Sequence, residues 1–139
     1  MIPDILFKSL HHSYKGFNIH LNGQTLENGY KPDVVLKKGN QFIIIESENS
    51  SSRKTFVGGM IKAAHFLQGD KKGQLIFVMV PKKNTTASSL AKHLKPYLKW
   101  IKGYTNLKNV YFIESGSYFK NNEVLELDGN EFQKYALKV

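Results

Sequence analysis

The stretch from Pro32-Asp33 to Glu46-Ser47-Glu48 brings three of the chain's 11 acidic residues to the ends of one apolar hairpin. Such a grouping suits a divalent cation. Two carboxylates from neighbouring strands can converge on one ion, and oxygen ligands match Mg2+, with Mn2+ able to substitute. The Ser47 carbonyl, between the two glutamates, is a candidate third ligand beside Asp33 and Glu46. A cation held there would polarise a phosphodiester and acidify a water towards a nucleophile. Glu48 would then accept the proton of that water or complete the ligand set. The competing reading is structural: the acids flank a hairpin and pair with Lys31, Lys37 or Arg53.

The charge around this acidic cluster is strongly positive. The chain has 139 residues and a net charge of +9. Residues 1–122 hold 18 Lys and Arg against 7 Asp and Glu, whereas the last 17 residues are slightly acidic. A basic body suits a polyanion, because neutralised phosphates release counterions. The absence of cysteine excludes disulfides, thiolate zinc sites and thiol nucleophiles, and fits an intracellular, cytoplasmic protein. His11, His12, His20, His65 and His93 form no HxH or HExxH pattern, so zinc is not expected. No apolar run reaches membrane-spanning length, and no signal-peptide pattern is expected at the start.

The elements that must position the acids follow from the apolar patterning. The length fits one domain with one sizeable core. Ile2 to Tyr14 reads as a short helix with Ile5, Leu6 and Leu10 inward, ended by Gly16. Residues 16–26 alternate as a strand does, with a tight turn at Asn22-Gly23. Asp33–Leu36 and Gln41–Glu46 form the hairpin, and the continuous run Phe42–Ile45 implies a strand covered on both faces. The serines at 50–52 offer helix caps, and a helix to about Gln68 follows, with Phe56, Met60, Ala64 and Leu67 on its apolar side. The run at 73–81 is a buried strand. Ser88 or Ser89 caps a second long helix to about Lys102, interrupted or kinked near Pro96. Residues 109–115 give the last central strand, and the acidic remainder a hairpin and a short helix. The expected fold is an α/β sandwich of order αβββαβαβ, a central mixed sheet flanked by helices, with parallel pairing among the later strands.

Proline-aspartate, twelve intervening residues, then E-S-E at the end of the next strand, followed by a capped helix, resembles the PD-(D/E)XK nuclease superfamily over most of the chain. The resemblance implies a restriction-endonuclease-like fold and a Mg2+-dependent endodeoxyribonuclease, of restriction or Holliday-junction-resolvase type. It also implies DNA as partner and a homodimer. The family's usual lysine is replaced here by Glu48, giving E-x-E, a form also found in active restriction enzymes. A cation must then come from elsewhere, and Lys54 and Lys62 on the following helix are the candidates, on one side with Gly58 and His65. Expected contacts to the nucleic acid are Lys37, Lys38, Ser51, Ser52, Arg53, Lys54 and Lys62. Asp4 is a weaker candidate for a further acid. The Gly58-Gly59 pair suggests close approach by another backbone or by DNA.

Lys92, Lys95, Lys99 and Lys102 form a second basic stripe, read as a solvated face, and Tyr97, Trp100 and Tyr104 as core or dimer contacts. Two functions compete with a nuclease. One is a noncatalytic nucleic-acid-binding domain with a degenerate nuclease core; the other is a structural module for an acidic protein partner.

Overall fold

Residues 42–45 can be apolar without a break because both sides of their strand are covered. The computed structural model describes all 139 residues. Its elements run α1 (Asp4–Ser9), β1 (Asn18–Leu21), β2 (Val34–Lys38), β3 (Gln41–Glu48), α2 (Arg53–Phe66) and β4 (Lys72–Met79). They continue with α3 (Ala87–Ile101), β5 (Leu107–Glu114), α4 (Ser115–Tyr118), β6 (Phe119–Lys120), β7 (Glu123–Val124), α5 (Asn130–Tyr135) and β8 (Leu137–Lys138). The expected order αβββαβαβ holds through β5.

Six strands form one mixed sheet in the order β1-β2-β3-β4-β5-β8. β2 and β3 are an antiparallel hairpin, while β3, β4 and β5 are parallel neighbours joined by the α2 and α3 crossovers. Phe42 and Ile44 enter one core, with Phe56, Met60 and Ala64 of α2 and Leu90, Leu94 and Leu98 of α3. Ile43 and Ile45 enter the other, with Phe7, Tyr118 and Phe132. Gly59 lets α2 lie close to the sheet: a Cβ there would stand 3.0 Å from the Phe77 ring, whereas Gly58 faces open space. The close approach inferred from this pair is therefore to an aromatic side chain. No helix is long and apolar enough to cross a membrane.

Several local expectations are corrected. The first helix ends at Ser9, and it is Ile2 and Phe7 that are buried, while Ile5 is 84% exposed and Leu6 partly so. The chain leaves the helix so that His12 can be buried, its Nε2 bonded to the Phe7 carbonyl (2.6 Å) and its Nδ1 to the Tyr118 hydroxyl (2.7 Å). Residues 16–26 give only four residues of strand, because Asn22 N–H donates to the Gln24 side chain instead of a ladder partner. α3 is capped by Thr86: its hydroxyl accepts from Ser89 N–H, and Ser89 Oγ accepts from Thr86 N–H. Pro96 sits exposed within α3 and the helix continues to Ile101. Tyr97, Trp100 and Tyr104 are exposed rather than core residues. The acidic tail makes the expected hairpin, turned by Asn121 and Asn122 at φ 53 and 63. It also adds β8, an edge strand that pairs with β5.

Candidate functional site

Register puts the acids together. Val34 is paired with Ile45, so one step outward the hairpin ends with Asp33 beside Glu46. The two are cross-tied: Asp33 N–H donates to Glu46 Oε1 (3.1 Å), and Ser47 N–H donates to Asp33 Oδ2 (2.8 Å). Each carboxylate thereby keeps one oxygen free of hydrogen bonds. In a strand the N–H and C=O of one residue point to the same edge, so the Ser47 carbonyl faces the β2 edge of β3, as its N–H does. Glu48 follows two residues on and shares the Glu46 face of the strand. Its Oε1 accepts from Ser50 N–H (2.9 Å), which shapes the loop into α2.

Burial makes this geometry electrostatically tense. It pushes the Asp33 carboxyl above the usual aspartate range, with the Ser47 N–H acting in the other direction. It raises Glu46 to about 7, and the Asp33 charge adds to that. A carboxylate made for ion pairing would be shifted down instead. The single ammonium in ion-pair contact with the pair belongs to Lys8, 4.0 Å from Asp33 Oδ1, and it is shared with Asp4 at 2.8 Å. Lys31, Lys37 and Arg53 form no ion pair with the acids, so the structural reading of the cluster lacks its partners.

The other sequence-selected residues separate into those near the acids and those far from them. Lys62 lies close enough to pull the Glu46 carboxyl down, and its Nζ donates to the Gly29 carbonyl (3.3 Å). Lys54 is exposed and meets no acid. Arg53 reaches Asn84 O at 3.4 Å. Ser52 occupies the N-cap of α2, but no serine hydroxyl caps the helix. Ser50 Oγ accepts from Ser52 N–H, and Ser51 O accepts from Thr85 Oγ1, so these groups stitch the loop together. Lys37 and Lys38 are not brought to the acids. They lie beside the hairpin turn at the other end of β2, with Lys37 over the Phe42 ring and Lys38 against Gly16.

Two residues escaped the sequence reading. Lys8 was marked only by its four-residue spacing from Asp4, which gives a helical ion pair but no hint of Asp33. Tyr30 had no distinguishing signal. It is 4% exposed, and its hydroxyl has no hydrogen-bond partner. Burial drives its pKa far up, and the charges of Glu46, Glu27 and Asp33 add to the shift. The turn that carries it is latched to α2 by Glu27 on His65 (2.8 Å) and by Gly29 on Lys62. A buried, unpartnered donor thus stands in the field of the acidic pair.

The donor set fits a small hard cation. Two carboxylates each offer an oxygen free of hydrogen bonds, and burial raises the pKa of both, so that a nearby cation would favour their charged forms. No group of three or more His, Asp, Glu or Cys side chains forms a metal-holding cluster. Mg2+ is commonly bound through one or two carboxylates, with water and substrate phosphates completing its six positions. No protein-family model, curated protein or solved structure matches the chain.

Proposed function

We propose that the chain is a Mg2+-dependent endodeoxyribonuclease of PD-(D/E)XK type, hydrolysing DNA phosphodiester bonds at the Asp33–Glu46 pair. The observation that carries this reading is the tension of that pair: two cross-tied, largely buried carboxylates, one raised to about 7, in a chain of net charge +9. Acids kept for stability alone would be exposed or neutralised. Asp33, Glu46 and the Ser47 carbonyl would hold the ion, which supplies Lewis-acid polarisation of the phosphate and of a water. Glu48, with one oxygen free of Ser50, takes the proton of the attacking water. Lys62 and Lys8 offset charge on the phosphoryl oxygens, in place of the lysine that E-x-E lacks. The Tyr30 hydroxyl, buried and unpartnered in the field of Glu46, is the spare donor of the site. Cutting both strands of a duplex calls for two such sites, and a homodimer belongs to the proposal.

The test is incubation of plasmid, linear duplex and four-way junction with and without Mg2+ or Mn2+, beside the Asp33→Ala, Glu46→Ala double variant. Metal-dependent cleavage by the wild type alone is expected. The substrate that is cut decides between restriction-type and junction-resolving activity.

A second reading has its own support. Glu48 is committed to the Ser50 N–H and no third acidic side chain completes a metal cluster. Both features suit a noncatalytic nucleic-acid-binding domain on a degenerate nuclease core. Equal calorimetric Mn2+ affinity of the wild type and the double variant would favour it.

A further inference from the structure

At the opposite end of the sheet from Asp33 and Glu46, the charge is of the other sign. A cleft of about 480 Å3 opens around the starts of β3, β4 and β5, a volume in the range of small-molecule sites. Lys15, Lys38, Lys72 and Lys108 surround it, and no acidic residue lines it. None of the four ammonium groups is paired with a carboxylate anywhere in the chain. Four like charges converging on one concave surface repel one another, and low-dielectric walls focus their field outward. An anion with several oxygens is the ligand that relieves this.

The rest of the lining narrows the chemistry. Tyr14 and Phe17 stand edge to face at 5.0 Å, and with Tyr111 they give half-buried aromatic walls. Such walls suit a planar ring. Gln41, Gln74 and Asn109 also face the cleft, and their side-chain amides make no hydrogen bond within the chain. A primary amide both donates and accepts, as the edge of a nucleobase requires. Gly73 completes the wall where β3 and β4 press together. A Cβ there would fall 2.1 Å from the Phe42 carbonyl, so only bare backbone fits.

We propose that this cleft binds a nucleotide, with its phosphate among the four lysines and its ring against Tyr14, Phe17 and Tyr111. The site is separate from the acidic pair. Gln41 and Glu46 bound the distance along β3, about 17 Å at the usual rise per residue. It needs no metal and stands whether or not the chain cuts DNA. The same chemistry is offered by a free mononucleotide and by one unit of a nucleic-acid strand.

The experiment is a 15N-resolved NMR titration of the full chain in EDTA, so that the acidic pair takes no part. The probes are 5′-AMP, adenosine, inorganic phosphate and a 5′-phosphorylated trinucleotide. 5′-AMP is expected to shift the backbone amides of Gln41, Gly73 and Asn109 with a Kd below about 1 mM. Adenosine and phosphate should each bind at least about tenfold more weakly, because each lacks one half of the contacts. A Lys38→Ala, Lys108→Ala double variant removes two exposed side chains and should keep its dispersed spectrum. It is expected to lose at least about tenfold in AMP affinity. A trinucleotide that binds the same residues more tightly than AMP identifies a strand as the source, and the reverse order identifies a free nucleotide. Phosphate binding as tightly as AMP, shifts that ignore the double variant, or no shifts with any probe would each overturn the proposal.

Discussion

Replacing Glu46 by glutamine removes a charge that the fold holds against burial, so the variant should be more stable than the wild type above neutral pH. The amide keeps an oxygen to accept the Asp33 N–H. Burial, followed by the Asp33 charge, raises the Glu46 carboxyl from 4.5 to about 7. Between those values the folded chain retains the proton and the unfolded chain releases it, so stability falls as pH rises. The favourable contribution of this group is complete below 4.5 and lost as pH climbs through about 7. The gap corresponds to about 3 kcal/mol at pH 8 and about 1 kcal/mol at pH 5. Urea unfolding in EDTA at the two pH values measures it directly. Glu46→Gln is expected to be the more stable protein by about those amounts. Adding Mg2+ at pH 8 should narrow the gap, because only the wild type keeps both carboxylates for the ion. A glutamine variant less stable than the wild type at pH 8, or a gap independent of pH, would refute the reasoning.

Three further outcomes are expected. Lys62→Ala and Lys8→Ala should each slow single-turnover cleavage of saturating DNA by about ten- to a thousandfold, the scale of losing one charge-stabilising group. Lys54→Ala, whose ammonium meets no acid, should cut at the wild-type rate; wild-type rates in all three variants would remove lysine compensation from the mechanism. Tyr30→Phe deletes a buried hydroxyl with no partner, so stability should hold or rise by up to about 1 kcal/mol, while cleavage slows; an unchanged rate would leave the hydroxyl idle. Burial holds the His12 imidazole below the usual 6.5, so its contribution is present above that pH and lost as pH falls and the unfolded chain takes up the proton first. Because Glu46 acts in the opposite direction, the His12 effect is best read in the Glu46→Gln background, by NMR titration of the ring. A His12 titrating at or above 6.5 would contradict the buried, neutral assignment.

The parts of the fold legible in the sequence are those whose burial leaves a periodic trace. Residues 42–45 and 75–79 are apolar without interruption because both faces of β3 and β4 are covered, and that pattern alone implied a sheet between two layers. α2 could be read because Phe56, Met60, Ala64 and Leu67 recur at helical spacing. α1 was read on the wrong face, since Ile5 and Leu6 are as apolar as Phe7. What decided between them was a buried histidine joined to Tyr118, 106 residues away. β8 was missed because a two-residue strand has no period to show. The acidic pair was legible for a geometric reason: a hairpin of this length must return its second strand to the start of its first. The same geometry defeats proximity in sequence. Lys37 and Lys38 lie only a few residues from Asp33, yet the strand carries them to the turn end. Lys8 and Tyr30 reach the acids from outside the hairpin, through contacts that no local pattern records.

The sheet's polarity accounts for why the acidic pair has an end of its own. β3 and β4 are parallel, and each is followed by a helix that starts at the same edge of the sheet. α2 and α3 therefore both begin near the acids, linked there by Thr85 on Ser51 and by Lys82 on Asn49. Helix N-termini carry partial positive charge and unsatisfied N–H groups. That edge thus combines two anionic side chains with a positive backbone field, which suits a bound cation together with an anionic substrate. Full ammonium charges crowding the same edge would instead neutralise Asp33 and Glu46 as ion pairs and leave them no use for a metal. Lys15, Lys38, Lys72 and Lys108 stand instead at the far end of the sheet, and Lys92, Lys95, Lys99 and Lys102 are exposed along α3 and its C-cap. Lys8 and Lys62 are the two that reach the pair's field, and the Glu46 carboxyl still stands at about 7. The residual demand for positive charge is what a divalent ion would meet, and the pH dependence of Glu46→Gln measures its size.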